Sequence, residues 1–343
     1  MSSKSIALMT VALFIFFYPT KIFSQSPPKI RPRVCLILDK GGKDDKSFNQ
    51  SAYEGFLKAQ KDFALSPESK YVTVREESQS AQFIRTFSLE KCNLIVAIGF
   101  NNADMVGKIA SQFPNQTYVV VDSPIQGKNI EAITFQEHEG AFLMGAIAAL
   151  KTKTQKIGFI GGMEIPLIKR FELGFEAGAK HINPKIKLSQ SFVGLTSAAW
   201  NNPSKAKELA LSMYEQGVDI IFVAAGASSQ GVFDAVQEAN RKSKTKDYVI
   251  GVDSNQNYLA PGMVLTSMEK KVDVEVYAAI QRFVNHKFAS GVTAYGFQDG
   301  GIEWALDSYN TPLFKPEEIK KINSIKKSLM ENKISPPDYY KLK

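Results

Sequence analysis

Apolar runs of strand length alternate with longer stretches of helical amphipathic pattern along most of the chain. That order predicts parallel sheets covered by helices, an α/β fold. The pattern also repeats. RVCLILDKGG at 33–42 resembles KIGFIGGMEI at 156–165, each a buried-looking strand closing on a glycine pair. Each leads into a helix holding Gly-Phe, at Gly55-Phe56 in one half and Gly174-Phe175 in the other. NLIVAIGFNN at 93–102 resembles DIIFVAAGAS at 219–228, and TYVVVDSP at 117–124 resembles DYVIGVDSN at 247–255. Two similar α/β domains account for a period this long. In open α/β sheets ligands sit at the carboxyl ends of the strands. Two such domains with facing strand ends form a cleft, and the residues after the matched strands line it.

A chain of 343 residues is long enough for two domains with cores of their own. The net charge of +8 raises nucleic acid as a partner. The lysines are scattered, however, and much of the excess falls after residue 314 (Lys315, Lys320, Lys321, Lys326, Lys327, Lys333, Lys341, Lys343). That distribution predicts a solvated helical tail and no nucleic-acid binding. Near the N-terminus, Lys4 precedes an apolar run at 6–18, followed by Pro19 and Ser24. The arrangement predicts a secretory signal peptide over 1–25 and a short extended linker over 26–32. The run is shorter than the roughly 18–20 residues of a membrane span. Cys35 and Cys92 each sit near the start of an apolar strand. A disulfide is geometrically open to them if those strands are neighbours, but two buried free thiols are the simpler expectation.

The first matched loop, DKGGKDDKSF at 39–48, has neither the Walker spacing nor the dinucleotide glycine fingerprint. Its acids Asp39, Asp44 and Asp45 would repel a phosphate, and no metal-ligand spacing accompanies them. An ionised carboxylate accepts hydrogen bonds only, so the loop suits a neutral ligand bearing hydroxyls or ring N–H groups. Phe48 lies seven residues before Gly55 and Phe171 three before Gly174, both close to the glycine's helical face. The pair is expected near the first turns of matched helices, where two rings can sandwich a flat ligand. Asp122 and Asp253 end matched strands and are a ligand pair rather than two unrelated caps. For Lys270 the residues alone leave a surface role and a donor into the cleft equally open.

With those residues in place, the chain resembles the basic membrane protein family, purine-nucleoside-receptor-type binding proteins of ABC importers. The carriers are GGKDDKSFNQSAYEGF, VVVDSP, ITFQEHEGAFLMGAIAAL, KIGFIGGMEIPLIKRFELGFEAGAK, IGVDSNQ and LTSMEKKVDVEVY, in order over most of the mature chain. The resemblance implies a type I periplasmic-binding-protein fold with a hinge and an interlobe cleft. It implies one lobe at 33–134 plus 269–293 and the other at 135–268 plus 294–343. It also implies capture of a purine nucleoside by lobe closure, without enzymatic chemistry, cofactor or metal, and an ABC permease as partner and sole link to the membrane. On that pattern Phe48 and Phe171 become the sandwich, and Asp39, Asp45, Asn49 and Asp122 read the base or lie beside it. Asp253 and Lys270 become the ribose grip, with Gly226 allowing close backbone approach. Two departures stand out: the acylated cysteine of lipoprotein members is missing, and AAGASSQG at 224–231 is poorer in glycine. Riboflavin, a flat ring with a polyol, is the rival cargo, a membrane-signalling sensor the rival role, and a nucleoside hydrolase the disfavoured one.

Overall fold

The runs at 34–38, 94–98 and 220–224 are buried at every position. Strands with no polar face belong in the middle of a sheet covered on both sides, and that is where the computed structural model has them. It describes residues 31–242 and 246–342; the expected signal peptide lies outside the described residues.

In chain order the first half contains β1 (Val34–Leu38), α1 (Phe48–Asp62), β2 (Lys70–Thr73), α2 (Glu77–Leu89), β3 (Leu94–Ile98), α3 (Phe100–Ile109), β4 (Thr117–Val121) and β5 (Ile130–Phe135). Then follow α4 (Glu137–Lys151), β6 (Lys156–Met163), α5 (Pro166–Ile182), β7 (Lys187–Gly194), α6 (Pro203–Glu215), β8 (Ile220–Ala224), α7 (Ser229–Lys242), β9 (Tyr248–Asp253) and β10 (Val264–Lys270). The chain ends with α8 (Val272–Val284), β11 (Gly291–Tyr295), β12 (Ile302–Trp304) and α9 (Pro316–Met330). One sheet has the order β11-β5-β4-β3-β1-β2 and the other β12-β10-β9-β8-β6-β7. All ladders are parallel except β10 with β12. The two sheets repeat one winding, as the matched sequence segments predict.

The chain crosses between the sheets three times, after β5, after β10 and after β11. The crossings are tied together: Gln136 N donates to Tyr295 O at 2.8 Å and Lys271 N to Gly301 O at 2.9 Å. The repeated glycines explain the helix packing. A Cβ at Gly55 would overlap the Asp273 carbonyl on α8, and one at Gly174 would overlap the His138 carbonyl on α4. Each lobe therefore seats its first helix against a crossover helix at backbone distance, which fixes the helix N-termini at the cleft.

Two expectations are corrected. Cys35 on β1 and Cys92 just before β3 form a disulfide, with Cα atoms 6.1 Å apart. Because β1 pairs with β3, the two cysteines lie within bridging range. The C-terminal stretch is not simply solvated either. Ile322, Ile325 and Leu329 bury one face of α9, and Asp338 pairs with the buried Arg170 on α5 at 2.8 Å.

Candidate functional site

The carboxyl ends of β1, β3, β4, β8, β9 and β10 meet at a cleft holding about 540 Å³ of empty space, its mouth included. Among its lining residues are Asp39, Phe48, Asn49, Asp122, Phe171, Gly226, Asp253 and Lys270. Asp45 is not among them.

The β1–α1 loop builds one end. Asp39 Oδ1 accepts from Gly41 N at 3.0 Å and from Asn49 Nδ2 at 2.6 Å, and Asn49 Oδ1 accepts from Asp39 N at 2.9 Å. Asp45 supports this arrangement from behind. Its carboxylate accepts from the backbone N–H groups of Ser47, Asn49 and Gln50 at 2.9–3.0 Å and from Asn49 Nδ2 at 2.9 Å. It satisfies the open N–H groups at the start of α1, as a capping acid does, and it orients Asn49 instead of facing the cleft. Gly99, at φ +89°, lets β3 end against Asp39: a Cβ there would lie 2.9 Å from Asp39 Oδ2.

Lys270, the last residue of β10, anchors the other end. Its Nζ lies 2.7 and 2.9 Å from the two Asp122 oxygens, 3.8 Å from Glu137 Oε1 and 3.9 Å from Asp253 Oδ1. Asp122 therefore stands with the cation, not with the Asp39 end alone. Asp122 and Asp253 share another property: both adopt left-handed backbone, at φ +70° and +66°. Few non-glycine residues do so, and aspartate is among those that tolerate it. The matched strand ends thus turn their carboxylates inward by the same backbone device. Gly226, at φ +57°, turns the chain after β8 in the left-handed region that glycine enters freely. The two halves also bond directly across the cleft: Ser47 Oγ donates to Asp253 Oδ2 at 2.6 Å and Gln256 Nε2 to Lys46 O at 2.8 Å.

The aromatic walls differ from expectation. Phe48 is the first residue of α1 and lies under Lys270, whose Nζ is 4.7 Å from its ring centre. Phe171 is one turn further into α5, packs on Phe222 at 6.3 Å, and is 3% exposed. It forms the floor of the cleft more than a wall. The residue seven before Gly174, matching Phe48, is Leu167, and it lines the cleft. The half-buried aromatic that the second lobe brings to the cleft is Trp200, which follows β7. Its ring covers Gly162, where any side chain would overlap it, and meets Phe100 of the first lobe edge to face at 6.4 Å. Trp200, Phe100 and Gly99 are absent from the sequence-derived set. A signal existed for Trp200: it is one of only two tryptophans and stands in a polar stretch after a strand end.

Burial governs the electrostatics. It pushes the Asp39 and Asp253 carboxyls up to about 6, and Glu137 up to about 7 despite Arg170 and Lys270. For Lys270, burial acts downward, but Asp122, Asp253 and Glu137 outweigh it and hold the ammonium above its ordinary range. The consequence for Asp39 can be measured. Its carboxyl is raised from 3.8, so between about pH 4 and 6 the folded chain holds a proton that the unfolded chain has released. Stability from this group is fully present below pH 4 and is lost as pH rises through 6. A displacement of about 2 pH units corresponds to about 3 kcal/mol at most. Asp39→Asn is expected to raise the unfolding free energy by about 1–3 kcal/mol at pH 7.5 and by little at pH 4, read by urea denaturation at both. An equal change at both pH values would mean that burial is not what sets the Asp39 proton.

No group of three or more His, Cys, Asp or Glu side chains suited to a metal ion occurs among the described residues. No described helix is long and apolar enough to cross a membrane. The family described as ABC transporter substrate-binding protein PnrA-like matches residues 33–339. The chain is 33% identical over 321 residues to the ABC transporter nucleoside-binding protein BmpA of Lactococcus lactis, covering 89% of each. It is 34% identical over 303 residues to basic membrane protein A1 of Borrelia garinii, covering 85% of each. An ABC transporter solute-binding protein of Aeropyrum pernix shares the fold, with a TM-score of 0.81 at 24% identity over 90% of this chain and 94% of that one. These are the relatives of a binding protein and not of an enzyme. The chain belongs to the Bmp family of PnrA-like ABC transporter substrate-binding proteins.

Proposed function

We propose that this protein, once exported, captures a purine nucleoside in its interlobe cleft and passes it to the permease of an ABC importer. The observation that carries the reading is the cleft's polarity. One end offers Asp39 with Asn49, and the other offers Lys270 with Asp122 and Asp253, with aromatic side chains between. A purine edge presents ring N–H and amino groups to the first end, and ribose presents hydroxyls that both accept from an ammonium and donate to a carboxylate. The base stacks on Phe48, with Trp200 as the opposing wall and Phe171 as the floor. Gly226 brings backbone close to the sugar. The name of the Lactococcus lactis relative supports a nucleoside, and the apolar segment at 6–18 supports export. A ligand that contacts both lobes favours the closed form over the open one, and a permease can recognise that form.

The test is a thermal-shift and calorimetric screen of the mature protein with nucleosides, free bases, nucleoside monophosphates and riboflavin. A ligand that binds only the folded state raises its apparent stability with concentration. Guanosine, adenosine or inosine is expected to raise the melting temperature, and the monophosphates are not. Phe48→Ala is expected to weaken the bound nucleoside by about 1–3 kcal/mol, the usual worth of one stacked base, with the far-ultraviolet spectrum unchanged. A response to riboflavin alone would keep the fold and change the cargo. A silent screen would remove the nucleoside reading.

A further inference from the structure

Behind Asp39 and Trp200, which border the main cleft, lies a smaller compartment of about 310 Å³ of empty space, its opening included. Its far side is built by α2 and α3, through Ser80 and Asn102. Both residues are 1% exposed, and Ser80 Oγ and Asn102 Oδ1 have no hydrogen-bond partner among the described residues. Buried polar atoms without partners are rare in folded proteins, and each calls for an explanation. The orientation of the Asn102 amide follows from its other bond. Its Nδ2 donates to Ile98 O at 2.9 Å, and a carbonyl oxygen only accepts. Oδ1 is therefore the atom left over, and it is an acceptor. Asp39, on the near side, is an acceptor when ionised, and the Ser80 hydroxyl serves as either. Lys40, Arg75 and Glu77 also line the compartment, half-buried or exposed, and none of them bonds to either atom, so what the two buried atoms lack is a small donor.

Resting on the nucleoside reading above, we propose that this compartment takes an exocyclic amino group of the base. Asn102 Oδ1 and Ser80 Oγ are then the residues that make the protein prefer amino-bearing purines over a purine lacking such a group. The amino group enters past Asp39 at the edge of the stacked ring and completes the hydrogen bonding that Asn102 and Ser80 lack. A site built to bond an N–H group disfavours the analogue without it, because its own buried polar atoms then stay unpaired.

The experiment measures Kd by calorimetry for adenosine, guanosine, 2-aminoadenosine and unsubstituted purine riboside. The wild-type protein is expected to bind at least one amino-bearing nucleoside about tenfold or more tighter than purine riboside. Asn102→Leu is expected to bring that ratio to within about threefold while leaving purine riboside within about twofold. Ser80→Val, which breaks no hydrogen bond of the folded chain, is expected to act in the same direction and decides the matter if Asn102→Leu fails to fold. Equal wild-type affinities, or a ratio untouched by Ser80→Val, would overturn the subsite and leave the nucleoside reading standing. Binding of none of the four would overturn both.

Discussion

Lys270→Met is expected to lower the unfolding free energy by about 3–5 kcal/mol at pH 7.5, the usual cost of removing one partner from a buried ionic cluster. The side chain is 2% exposed, and its ammonium is the shared counter-charge of Asp122, Glu137 and Asp253. Methionine fills a similar volume, so the loss is electrostatic rather than a cavity. Arg170 compensates Glu137 from the other side, yet reaches neither Asp122 nor Asp253 by any bond. Asp253 and Glu137 already titrate near 6 and 7 through burial, and loss of the cation moves both further up. Acids raised in the folded state cost stability above their folded pKa and none below their unfolded one. The deficit of the variant is therefore expected to shrink as pH falls from 7.5 toward 5. Urea titrations of both proteins at those two pH values check it. A deficit below about 1 kcal/mol at pH 7.5 would mean that the carboxylates relax into solvent when the cation goes.

The second large effect is expected from Cys35→Ala with Cys92→Ala together. The cross-link spans 57 residues of sequence separation, and closing a loop of that length stabilises by about 4 kcal/mol in the chain-entropy account. Alanine isolates the cross-link, because serine would add a buried hydroxyl in the apolar cluster around Cys35 and Cys92. Denaturant unfolding of the double variant should show this loss with ligand binding retained, since neither cysteine lines the cleft. A loss below about 1 kcal/mol would point to compact structure in the unfolded reduced chain. The bridge suits the oxidising surroundings of an exported protein.

Much of the architecture was legible because it rests on local periodicity. Apolar runs without a polar face must be covered on both sides, and their spacing with helices leaves parallel sheets as the arrangement. The repeat then located the cleft at the strand ends. Individual side chains were less legible. Phe48 and Phe171 fall near one helical face when counted from their glycines, but seven residues against three separates them by about 6 Å along the axis. Angular position comes from periodicity; depth comes from where the helix begins, and α5 begins at Pro166. Phe171 therefore became a buried floor residue, and Leu167 took the place that matches Phe48. Asp45 carried the same chemical promise as Asp39, and only the direction of the α1 N–H groups assigned it to the helix start.

The sequence by itself thus determined the two-lobed fold, the place of the cleft and the residue types at its strand ends, because those follow from hydrophobic period and internal repetition. The tertiary structure decided which groups share that space. The Lys270–Asp122 pair joins residues 148 apart, Ser47 reaches Asp253 across 206, and Trp200 closes on Phe100 from the opposite lobe. No local pattern records such partners, since they are set by the packing of helices at backbone distance and by how the three crossings bring one lobe against the other.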